Sequence, residues 1–276
     1  MIPAGGLANR MRAIASGYHL AKQIGSRLEV IWFMDWGMKA HFNDIFTPIN
    51  EEGVALREAT LMDRLINDRP RPKNHFLFKI PQRLIYDRCL YEHEITELRN
   101  NNYDFTSWAR GKDCYMGNFQ EFGGFDNALY SKLFHPTKEV TDKIQQYTSQ
   151  FSDYTIGMHI RRTDSVRSIN QSPTELFIEY GKKEMTVHPD ARIFLATDSE
   201  DVKEEMRIAF GGRIITSAAE ATRGSLEGIR DGMAELWALS YTDIIYGSFG
   251  SSYSEMAAKL KDDMSILRIV NSNHEH

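Results

Sequence analysis

Three short runs in the second half of the chain hold the residues best suited to chemistry. His159, Arg161 and Arg162 stand together in HIRRTD with Thr163 and Asp164 behind them. Thr197, Asp198 and Ser199 form a second run, and Gly247, Ser248, Phe249, Gly250, Ser251 and Ser252 a third. In an extended segment side chains alternate, so His159 and Arg161 point to one side and Arg162 to the other. A guanidinium is a rigid fork of N–H donors that fits a phosphate or carboxylate through paired contacts. The plainer use of these arginines is a structural ion pair with Asp164. In GSFGSS the glycines allow close backbone approach, and the serines can cap a helix whose first amides face an anion. The plainer use here is a capping box made by Ser252 and Glu255. A second glycine turn, GGLANR, presents Gly5, Gly6 and Asn9 near the start of the chain.

The elements around these runs explain their placement. Apolar runs at 155–160, 192–196, 213–215, 243–246 and 266–270 read as buried strands. Helix-length patterns lie between them, opening at Ser199, Ser225, near Ser251, and at Ser172–Pro173, where Glu175 completes a capping box. Strand and helix in alternation predict a parallel sheet with helices on both faces, whose ligands lie beyond the carboxyl ends of the strands where strand order reverses. All three runs fall at such ends. At the front, GGLANR leads into a helix reaching Gly25, and Leu28–Phe33 reads as the next strand, ending at Met34, Asp35 and Trp36. Residues from about His41 to Phe134 show scattered prolines and aromatics with no sustained period, and the boundary between two domains is expected near residue 150.

Composition limits the functions available. A chain of 276 residues, 42% hydrophobic, is large enough for two domains and an extensive core, which excludes a disordered chain or a lone binding module. A net charge of −5 offers no basic field for a polyphosphate backbone, so nucleic acid is not an expected partner. Two cysteines, Cys89 and Cys114, build neither a disulfide framework nor a zinc cage. With no apolar run long enough to span a bilayer, a cytoplasmic location is expected. Neither GxGxxG, nor a lysine-bearing phosphate loop, nor GxSxG is present. The Asp-x-Asp arrangement that presents a divalent metal to a nucleotide diphosphate is absent as well, and His93, between Glu92 and Glu94, lacks metal-ligand spacing. The chemistry left is phosphate handling by arginine and helix amides, with no metal or cofactor expected.

Four segments resemble the superfamily of GDP-fucose-dependent fucosyltransferases that holds the α-1,6, nodulation and protein O-fucosyltransferase types: GGLANRMRAIASGYHLAKQIG, IGMHIRRTD, IFLATDS, and the stretch from SLEGIRDG to SSYSEMAAKL. Together they cover roughly a third of the chain, weighted to its second half. The resemblance implies two Rossmann-like domains of GT-B type and an inverting, metal-independent transfer of fucose from GDP-fucose to a glycan acceptor. By position it makes Arg161 the essential arginine on the β-phosphate. It sets His159 and Glu235 at the guanine and Ser251 at a phosphate, with Gly5, Gly6 and Asn9 approaching the diphosphate from the first domain. Arg162, Asp198, Ser248, Phe249 and Ser252 complete the expected donor-binding set. This chain has Ser165 and Ile169 where the core-fucosylating branch has lysine and glutamate, and Glu235 where aspartate is usual.

Those departures leave the acceptor's base to be found among other carboxylates. Asp35, at the end of LEVIWF, is the first candidate by strand-end position, against the simpler role of capping the turn after it. Asp164 is the second catalytic candidate, and Glu175 is expected to be held by its capping box. Two rival functions share these residues: a transferase of another nucleotide sugar, and a glycan- or nucleotide-binding protein without turnover.

Overall fold

The computed structural model describes residues 1–35, 37–67, 79–163, 166–219, 222 and 224–272. Among them no helix is long and apolar enough to cross a membrane. The chain divides into two compact units, Met1–His135 and Pro136–His276. The helix Lys138–Thr148, expected on the first side of a boundary near 150, falls in the second unit. Its buried stripe of Val140 and Ile144 accounts for this, because the helix packs against Leu226–Ser240.

In the second unit β6 (Thr155–Ile160), β7 (Arg192–Thr197), β8 (Ile214–Thr216), β9 (Ile244–Ser248) and β10 (Leu267–Val270) form a five-stranded sheet in the order β10-β9-β6-β7-β8, parallel throughout. All five match the predicted apolar runs within two residues. On one face Ile156, Met158 and Ile160 join Phe177, Met206 and Phe210 from two helices in a single buried cluster. On the other, Phe194 meets Tyr147 and Phe151, and Gly157 lies so close to Leu239 and Thr242 that a Cβ there would overlap both. The predicted layers, a parallel sheet with helices on both faces, are present. Strand order reverses between β6 and β9, so the ends of these two strands flank the crevice where this topology binds ligands.

In the first unit β1 (Ile2–Pro3), β5 (Cys114–Asn118) and β4 (Arg88–Leu90) pair in parallel, as do β2 (Leu28–Trp32) and β3 (Val54–Glu58). Ile31 N donates to Met1 O at 3.0 Å and brings β2 alongside β1. The first helix, Leu7–Gln23, stops ahead of Gly25, whose φ of +65° is the left-handed turn a glycine permits. The stretch without a clear period contains strands of three to five residues and short helices, closed by an aromatic chain Trp32–Phe42–Phe46–Phe134 with neighbouring centroids 5.0–5.4 Å apart.

Candidate functional site

The ends of β6, β7 and β8 border a cavity of about 360 Å³ lined by His159, Arg161, Thr163, Thr197, Asp198, Ser217, Ala219, Asp231, Glu235 and Tyr253, among others. Its volume lies in the ~300–1,000 Å³ range of small-molecule sites. His159 and Arg161 share a strand face and both line it, as alternation predicts. Arg161 N donates to Ser248 Oγ at 3.1 Å, which sets the backbone from which its guanidinium enters the wall. The His159 ring lies against Tyr253 at 4.6 Å, and its Nδ1 is 3.2 Å from Ser251 Oγ. Ser251 also caps the helix Ser252–Leu260 by accepting from Tyr253 N. The positive amino end of that helix therefore follows directly on β9.

Other predicted donor residues serve the scaffold. Arg162, on the opposite strand face, donates through Nη1 to Arg161 O and through Nη2 to Ser172 O and Thr174 Oγ1, all at 2.8–2.9 Å. Its fork is thus occupied within the protein, and burial lowers its pKa. Asp198 lines the cavity, yet its Oδ1 accepts from Arg162 N at 2.6 Å and its Oδ2 from Thr163 Oγ1 at 2.7 Å. Ser248 is buried and donates to His159 O at 3.1 Å while accepting from Arg161 N, so its hydroxyl joins β6 to β9. Phe249 offers its backbone N to Ser172 Oγ at 2.8 Å.

Two expected capping boxes are corrected. Ser172 Oγ donates to Val270 O and accepts from Phe249 N, so it bridges distant segments, and the helix Thr174–Val187 has Pro173 at its cap with exposed Glu175 in its first turn. Ser252 is the first residue of its helix and not the cap, while Glu255 pairs with Lys259 at 3.0 Å. Asp164 and Ser165 lie outside the described residues.

The helix Leu226–Ser240 supplies Gly228, Asp231, Gly232 and Glu235 to the cavity. These stand at i, i+3, i+4 and i+7 on one face of the helix, and only Glu235 was singled out from sequence. Glu235 is 8% exposed; burial pushes its carboxyl up to about 8, with Asp231 adding to the rise and Lys203 opposing it. Thr197, named in the second strand-end run, had no role of its own there. Its buried Oγ1 has no hydrogen-bond partner among the described residues and belongs to a residue of the cavity wall, which suits a group kept for a ligand.

Gly5, Gly6, Asn9 and Asp35 belong to the first unit. Gly5 has φ +78°, and a Cβ on it would come within 2.9 Å of Asn9 Nδ2. Gly6 precedes the first helix as its cap, and Asn9 Oδ1 accepts from Arg12 Nη2 at 2.6 Å. Asp35 is engaged within its own unit. Its Oδ1 accepts from Arg10 Nη2 and from Gly37 N, each at 2.8 Å, which combines the turn-capping role with a buried ion pair. Arg10, 0% exposed, also donates to Gly5 O and Phe33 O, and its guanidinium stacks 4.6 Å from the Trp32 ring. A further cavity of about 310 Å³ in this unit includes Met1, Leu28, Tyr86 and Cys114. It adjoins the starts of β2 and β5, the sheet end opposite to that used for ligands in such folds.

No protein-family model matches the sequence, and no curated protein matches it. Solved structures match its fold. Fucosyltransferase NodZ from Bradyrhizobium aligns with a TM-score of 0.67 at 15% identity, covering 100% of this chain and 96% of its own. NodZ α-1,6-fucosyltransferase crystallised with GDP gives 0.64 at 15%, covering 93% and 90%. POFUT1 in complex with GDP-fucose gives 0.58 at 9%, covering 98% and 96%.

Proposed function

We propose that the protein, whose fold is that of GT-B fucosyltransferases such as NodZ, transfers fucose from GDP-fucose to a hydroxyl of a carbohydrate acceptor, with inversion at the fucose carbon and without a metal. One observation carries this reading: Arg161, the His159–Tyr253 ring pair and Glu235 line a single cavity beyond the carboxyl ends of the parallel strands. As GDP departs, charge grows on the β-phosphate oxygens, and a guanidinium held at the strand end meets it in the transition state. The amino end of Ser252–Leu260 adds a positive dipole at the same strand ends. Glu235, once ionised, accepts from the ring N–H and amino group of guanine, a pair of donors that uracil lacks. With Asp35 engaged by Arg10, this reading gives the acceptor's proton to Asp164. A cytoplasmic setting belongs to the reading and is supported by Cys89 and Cys114, which are free thiols.

Calorimetric titration with GDP and UDP, followed by transfer assays from GDP-fucose, GDP-mannose and UDP-glucose against a glycan panel, tests the proposal. Tight GDP binding and fucose transfer are expected. Preference for UDP would replace the donor, and GDP binding without transfer from any donor would make the protein a binder.

A further inference from the structure

One side of the nucleotide cavity depends on a residue that does not line it. Lys203, on the helix Glu200–Phe210, is 1% exposed, a rare state for a lysine. Its Nζ donates to Ala219 O at 2.8 Å and to Glu200 Oε1 at 2.6 Å. Ala219 is part of the cavity wall, and so is Ser217, whose Oγ accepts from Ala219 N at 3.1 Å. The Glu200 side chain is 57% exposed, so water screens that pair and it compensates only part of the cost of burying an ammonium. The carboxyl of Glu235, buried in the wall of the same cavity, also feels the Lys203 charge.

We propose that Lys203 is a positioning residue for nucleotide recognition: it pins the Ala219 wall and supplies the counter-charge that lets the buried Glu235 carboxylate accept the N–H donors of a base. The proposal deepens the donor reading above and rests on it.

Several charged and titratable groups surround the Glu235 side of the cavity. Lys203 comes from a neighbouring helix, with Glu200 of that helix paired to it. Asp231 lies one turn earlier on Glu235's own helix and is paired at 2.6 Å by Lys143 of Lys138–Thr148, which also carries Tyr147. His159, Arg161 and Asp198 come from the strand ends and Tyr253 from the last helix. Burial is the largest influence and keeps the Glu235 proton on to about pH 8; Lys203 works against burial and Asp231 with it. Accepting two donors from guanine requires the carboxylate, so binding releases a proton, and affinity climbs with pH until the empty site is already ionised. Without the Lys203 charge the proton is held to higher pH, and the rising limb moves with it.

The test is GDP affinity by calorimetry from about pH 6 to 8.5 for the wild type, Lys203→Gln and Lys203→Arg. Glutamine keeps a donor for Ala219 O without the charge; arginine keeps the charge. A lost charge partner moves a carboxyl by about one pH unit or more, so Lys203→Gln should bind GDP roughly tenfold more weakly at pH 7 and approach the wild type as pH rises. Lys203→Arg should follow the wild-type limb. Superimposable profiles for the wild type and Lys203→Gln overturn the proposal, as does a loss that is equal at every pH. Should Lys203→Gln not fold, Glu200→Gln on the exposed side carries the test. Removing that competing carboxylate should move the limb to lower pH, and an unmoved limb overturns the idea. A wild type that binds no GDP sinks the donor reading together with this proposal, whereas GDP binding with an unmoved limb sinks the proposal alone.

Discussion

Arg10 and Arg161 each lie close behind the first strand of a unit, and the protein uses them in opposite ways. Arg10 is turned inward: its fork is shared among Gly5 O, Phe33 O and Asp35, so it fastens the glycine turn to the end of β2. Arg161 has its backbone fixed by Ser248 and its guanidinium in the wall of a cavity. Arg162, one residue on, behaves as Arg10 does, with its donors used by Ser172 and Thr174. Strand parity thus separates two neighbours: Arg162 spends its fork on the scaffold, and Arg161 joins the cavity wall.

The contrast can be broken at several points. Arg10→Ala should have the largest effect, because it strands the Asp35 carboxylate and two carbonyls; a loss of about 3–5 kcal/mol is expected in denaturant melts. Asp35→Asn should likewise act first through stability, so a stable Asp35→Asn protein with transfer alone impaired would restore Asp35 as the base. Arg161→Ala should do the reverse, lowering transfer by ~10²-fold or more with an unchanged melting temperature. Arg161→Lys should recover little, since an ammonium does not reproduce a paired phosphate contact. An intermediate outcome is expected for Arg162→Ala, a destabilisation of ~1–3 kcal/mol from carbonyls left unpaired, with GDP affinity nearly kept. The pH dependence of stability gives a finer test. Glu235 binds its proton more tightly folded than unfolded, so the empty protein should lose stability as pH rises from the ordinary glutamate range through about 8. Glu235→Gln should flatten that slope in thermal melts. The smallest effect expected is none at all: EDTA should leave transfer unchanged, and activity restored by added manganese after chelation would overturn the metal-free mechanism.

The second unit was far more legible in the sequence than the first, for a physical reason. Strands buried on both faces of a parallel sheet must be apolar along their length, so β6 and β7 are visible as continuous runs. β4 has three residues and β5 five, and the core around them is made by aromatic contacts between distant positions that leave no local period. Within the site, alternation separated Arg161 from Arg162, whereas hydroxyl roles set by tertiary partners were invisible. Ser172 has the spacing of a cap, but Val270 O and Phe249 N reach it from the far end of the chain. The same holds for Asp35, whose buried cation comes from the first helix, and for Thr197, whose strand-end position was legible but whose unsatisfied buried hydroxyl was not.

The Ser172 hydroxyl also bears on the order in which the protein can mature. It holds Phe249 N on one side and Val270 O on the other, and β10 pairs with β9 along residues 267–270. During synthesis the amino-terminal unit can pack as it emerges, and β6 with its arginine is made more than a hundred residues before the chain reaches Val270. The Gly247–Ser252 turn gains its full set of ties only when that last strand has left the ribosome. Until then the nascent chain carries Arg161 beside a turn that lacks these ties, so this end of the sheet is fastened late.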